Sequence, residues 1–159
     1  MKRFAAWLML LLILLSQSAP IFAADLSVTA GSVVPASDAT MENGTAGATI
    51  TTGQVVYLDS STNTFKLADA DSATSAVRTP YGIALNGASS SQPVRVLKAG
   101  GLNPGATVVV GKVYVLSTTA GGIAPVTDLA TGTYVSVLGI GTTTSNIQVV
   151  VQVSGVAVP

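Results

Sequence analysis

The chain has 159 residues, 48% of them hydrophobic and 9% charged, with seven basic residues balancing seven acidic ones. It contains no Cys and no His, which excludes disulfides, thiolate or imidazole metal sites, and Ser-His or Cys-His nucleophilic pairs. Its length suits one domain or two very small ones.

The N-terminus reads Met1-Lys2-Arg3, then an apolar run from Phe4 to Leu15, then a stretch of mostly small residues from Ser16 to Ala24. This is the layout of a secretory signal peptide, residues 1–23, with Ile21 and Ala23 at the −3 and −1 positions of the cleavage site. It predicts a mature chain starting at Ala24 and export to the periplasm, the extracellular space or the cell surface. A membrane is a partner only through this segment if it stays uncleaved, and Ser16, Gln17, Ser18 and Pro20 interrupt the ~20 apolar residues that a span needs. Removing residues 1–23 leaves five basic residues, Lys66, Arg78, Arg95, Lys98 and Lys112, against seven acidic ones, a net charge of −2. No basic cluster remains to neutralise phosphates, so nucleic acid is not expected as a partner.

Residues 24–45 read as an extended N-terminal arm. Gly31 to Ala46 carries Pro35, Ser37, Asp38, Asn43 and Gly44 without an apolar period, and arms of this kind often order on meeting a partner.

From residue 46 to 159 short β-branched runs alternate with Gly, Pro, Asn and Ser, and no window sustains a period of 3.6. The expected fold is all-β, a compact barrel or sandwich with little helix outside the signal peptide. Predicted strands, beginning with one in the arm, are Leu26 to Thr29, Ala48 to Thr51, Gln54 to Leu58, Phe65 to Leu67, Tyr81 to Leu85, Val94 to Lys98, Thr107 to Val110, Lys112 to Leu116, Tyr134 to Ile140 and Ile147 to Val153. The last alternates most clearly, with Ile147, Val149, Val151 and Val153 on one face and Gln148 and Gln152 on the other. The Ala-rich segment Leu67 to Val77 is expected as a loop, because its Asp and Ser side chains compete for the backbone.

The β region is also expected to be a tandem duplication, about 46–103 and about 104–159. The segment from Gly53 (GQVVYLDSSTNTFKLADADSATSAVRTPYGIAL) aligns with that from Gly111 (GKVYVLSTTAGGIAPVTDLATGTYVSVLGI). Gly53 matches Gly111, Leu58 matches Leu116, Gly82 matches Gly139 and Ile83 matches Ile140; Val94 and Val96 are set against Ile147 and Val149, and Gly101 against Gly155. The spacing drifts only across loops, where length changes are tolerated. Two copies are too few for a solenoid, so one shared barrel or sandwich is the natural arrangement.

Little chemistry is legible. The acids are Asp25, Asp38, Glu42, Asp59, Asp69, Asp71 and Asp128, and nothing places two of them across a cleft as a glycosidase dyad requires. Asp69, Asp71 and Ser72 offer oxygens for a calcium ion but lack the other ligands of an EF-hand loop, so a solvated loop is expected. Gly100, Gly101 and Gly105, beside Asn103 and Pro104, lack the Lys-Ser/Thr ending of a phosphate-binding loop and read as a tight turn joining the repeats. Gly121-Gly122 reads as a hairpin turn. Tyr57, Tyr81, Tyr114 and Tyr134 are expected to pack rather than to stack on sugars, with Tyr57 and Tyr114 at matching positions of the repeats. No catalytic, cofactor-binding or metal residue is expected.

The runs ITTGQVVYLDSSTNTFKLADADSA, YGIALNGASSSQPVRVLKAGG and GKVYVLSTTAGGIAPVTDLATGTYVSVLGI resemble the small head-decoration, or capsid-cement, proteins of tailed phages and prophages. The resemblance covers about residues 45–158. It implies a non-enzymatic β-rich structural subunit that self-associates, usually as trimers, and binds a capsid-like lattice in the virion. An export signal sets this chain apart from such subunits, which assemble in the cytoplasm. A second expectation is an exported surface or adhesin-like binding module with its ligand held at Ser/Thr-rich loop ends. Assembly into a closed oligomer favours the first, and a monomer with a surface ligand the second.

Overall fold

The computed structural model describes residues 24–159, and the expected signal peptide 1–23 lies outside the described residues. Those residues are almost wholly β, as the short β-branched runs require. The strands are β1 (Val33–Pro35), β2 (Thr40–Thr45), β3 (Val55–Asp59), β4 (Thr64–Leu67), β5 (Gly82–Ala84), β6 (Pro93–Pro104), β7 (Val113–Leu116), β8 (Ile123–Pro125), β9 (Tyr134–Gly141) and β10 (Ile147–Ala157). Among the described residues helical turns are confined to two 3-10 turns, Ala30–Ser32 and Val126–Asp128.

One antiparallel sheet, curled into a half-barrel, runs in the order β4-β3-β5-β6-β10-β9-β7-β8. Read from its two ends, β4-β3-β5-β6 and β8-β7-β9-β10 are the same path. Gly53 and Gly111 both turn into their strands with positive φ, +88° and +76°, a conformation that favours glycine. Gly53 N–H donates to the Ala84 carbonyl at 2.7 Å, and Gly111 N–H to Gly141 at 2.8 Å. Ala84 N–H donates to Gln54, and Gly141 N–H to Lys112.

Cross-strand rows correct the alignment in two places. Val55 pairs with Ile83 and Ile83 with Leu97; Val113 pairs with Ile140 and Ile140 with Gln148. Val96 therefore corresponds to Ile147 and Leu97 to Gln148, two residues from the match of Val94 with Ile147. Because a strand's period is two, that slip preserved the face and went unseen in the pattern. Tyr114 lies opposite Gly139 as Val56 lies opposite Gly82, so its counterpart is Val56 and not Tyr57.

The longest strand, β6, is the hinge of the molecule. β5 and β2 both pair with Val96 and Leu97 from opposite edges, while further along Leu102 lies between β1 and β10. The arm 24–45 thus supplies two strands to the sheet. Gly100 and Gly101 sit inside β6 rather than in a turn between repeats, because the arm crosses the strand there. A Cβ on Gly100 would lie 2.7 Å from the Ala39 Cα, and one on Gly101 2.8 Å from the Ala36 Cβ. The turn falls at Gly105, φ +67°.

Two cores result. A smaller one holds Ile50, Val56, Phe65, Ala84, Val94 and Val96 within the first unit. The larger joins Val55, Ile83 and Leu97 of the first unit to Leu102, Tyr114, Leu116, Ile123, Leu138, Ile147 and Val149. Leu26 to Thr29 and Thr107 to Val110 form no strand, and Ile50 makes only an isolated bridge to Ala88.

Candidate functional surface

Several titratable side chains hold the chain together. Asp25 accepts from the Ser117 hydroxyl at 2.7 Å, tying the start of the arm to the β7–β8 turn. Asp38 accepts from the Gly101 N–H at 3.0 Å and the Gln148 amide at 3.3 Å, and these bonds, the Gly101 one foremost, hold its carboxyl below the usual range. The Tyr81 hydroxyl donates to Glu42 at 2.7 Å and accepts from the Lys98 ammonium at 2.9 Å; Lys98 also lies 3.1 Å from Glu42. Tyr81 and then Lys98 lower the Glu42 carboxyl, and the same cluster raises Lys98. Asp59 pairs with Lys66 and accepts from Ser61, so it is held well below the carboxylate range.

Asp69 lies against Asp71, whose N–H donates to Asp69 Oδ1 at 3.3 Å. Burial, and then the Asp71 carboxyl, push Asp69 upward. No group of three metal-ligating acids occurs among the described residues. Asp128 Oδ1 is buried without a hydrogen-bond partner beside a cavity of about 10 Å³, room for about one water and no more.

The aromatic residues pack. Tyr114 is buried, and its hydroxyl accepts from the Val109 N–H at 3.0 Å. Tyr81 lies 5.2 Å from the Phe65 ring, and Arg78 stacks 3.6 Å over Tyr134. Tyr57 is half-buried against the larger core.

No protein-family model matches this chain, and no curated protein does.

Concave surface is shallow. A depression of about 490 Å³ lies between the arm and the β6–β7 turn, where Asp25 and Lys112 are the charged residues of the lining. Another, of about 280 Å³, is lined by the arm, the β7–β8 turn and Thr51 to Gln54, again with Asp25 as its carboxylate. Neither brings two carboxylates together.

The remaining feature is apolar. On the outer face of β9 and β10, Val137, Gly139, Ile140, Gln148, Val150 and Gln152 line an open groove of about 230 Å³. Ile140 and Val150 are 48% and 49% exposed. The sequence showed Ile147 and Val149 facing the core, and they do, but placed Val153 with them. A register shift after Val149 leaves Val153 43% exposed. Among the described residues no helix is long and apolar enough to cross a membrane.

Proposed function

We propose that this protein is a non-enzymatic structural subunit that works by associating with copies of itself or with a larger lattice, in the manner of a capsid-cement protein. The observation that carries this reading is the exposed apolar face of β9 and β10 in a segment, Leu129 to Pro159, that contains no charged residue. Free monomers ordinarily disperse charge over such surfaces, and contiguous exposed apolar residues mark contacts. Asp25, Asp38, Glu42 and Asp59 serve local structure, and neither depression brings two carboxylates together, which favours assembly over catalysis. The resemblance to head-decoration proteins suggests the kind of lattice, and the expected export signal favours an assembly outside the cytoplasm. Light scattering coupled to size exclusion on the purified chain tests the reading. A stable oligomer is expected, and a strict monomer that binds no particle would turn attention to the depression beside Asp25 and Lys112 as the ligand site of an exported surface module.

A further inference from the structure

The internal duplication states what the apolar face is for. In the first unit the cross-strand row Val55–Ile83–Leu97 is sealed, each residue 1% exposed or less, because the second unit packs over it with Tyr114, Leu116 and Ile123 in one cluster. In the second unit the row at the same register is Val113–Ile140–Gln148. Its centre is open, with Ile140 48% exposed and its diagonal neighbour Val150 49%, while at its ends Val113 is half-buried and the Gln148 amide donates to Asp38 of the arm. The same sheet face is thus an interface once within the chain and bare once.

We propose that a second copy of this chain covers the bare row, through the same row of its own, across a two-fold axis. This rests on the assembly reading above and names its contact. The surface that seals the first unit's row, Tyr114, Leu116 and Ile123, is at most 2% exposed in every copy, so an incoming copy cannot offer it. What a second copy does offer as an open apolar sheet face is Ile140 and Val150. The other exposed valines sit in the arm (Val34), the turn before β7 (Val109, Val110), the 3-10 turn (Val126) and the outer end of β10 (Val153, Val156). The face is also electrically self-compatible. The segment Leu129 to Pro159 brings no charge to this face, and Gln152 at the groove's margin can donate to and accept from an identical amide, while Gln148 is held by Asp38 of the same copy. A self-complementary patch of this kind closes as a dimer about a two-fold rather than growing a filament.

The experiment is the mass of the purified full-length chain in solution, alone and with Ile140→Asp or Val150→Asp, against Val34→Asp as an exposed control. The expected result is a dimer, or an even-numbered assembly of dimers, whose mass falls by half or more in the first two variants and is unchanged in the control. Because the chain has no cysteine, Val150→Cys gives a second readout that does not depend on a destabilising charge: a short bismaleimide should link it into a covalent dimer, and should leave Val34→Cys unlinked. An odd-numbered assembly, or an oligomer indifferent to both aspartates and unlinked at Val150→Cys, would overturn this contact while sparing the assembly reading. A monomer at the highest soluble concentration would overturn both.

Discussion

At the residue scale two glycines show how narrowly strand spacing is set. A Cβ on Gly82 would collide with the Leu97 carbonyl, and one on Gly139 with the Gln148 carbonyl. Both are backbone atoms of the neighbouring strand and cannot swing aside. Gly82→Ala and Gly139→Ala should each lower stability by about 1–3 kcal/mol, the usual range for forced overpacking, while Gly31→Ala, with nothing within 4 Å, should be close to neutral in denaturant titrations. Acid should act through Asp38, Glu42 and Asp59. Their folded carboxyls are held below the ordinary range, so their contribution is complete above about pH 4, the unfolded carboxylate value, and is lost as pH falls through the folded values. Asp69, raised by burial, works in the opposite sense. Melting temperature measured from pH 7 to pH 2 should therefore fall at the acid end, and Glu42→Gln should flatten that fall. A slope unchanged in Glu42→Gln would show that the cluster with Tyr81 and Lys98 adds nothing.

At the scale of elements, β6 decides the order of events. It is paired with β5, β2, β10 and β1 along its 12 residues, and Val94, Val96, Leu97 and Leu102 are buried. Its amides should be the slowest to exchange with deuterium, opening only with global unfolding, whereas β2, whose residues are mostly exposed, should exchange by local fraying. Comparable protection in β2 and β6 would mean that the arm is an integral strand. The sequence already marked Val94 to Lys98, β7, β9 and β10 as strands, because alternating β-branched residues report a half-buried sheet. It missed β2, Thr-Met-Glu-Asn-Gly-Thr, because a strand held mainly by backbone pairing to β6 and by Glu42 at Tyr81 and Lys98 needs no apolar alternation.

For the whole molecule, the larger core draws on both units and β6 belongs to both. The units should therefore melt as one, with calorimetric and van't Hoff enthalpies equal. Leu97→Ala, at 0% exposure in that shared core, should cost about 2–5 kcal/mol and shift the single transition without splitting it. Two resolved transitions would show that each unit folds alone.

Fold class was determined by the sequence itself, since composition and period-two alternation are local properties that survive without knowledge of neighbours. Register, the path of the arm across Gly100 and Gly101, and the difference between Ile83 and Ile140 were decided by tertiary structure alone. Those two isoleucines occupy the same place in the same pattern, and a sequence gives them the same burial. Only the packing of the second unit over the first makes one of them core and leaves the other on the surface.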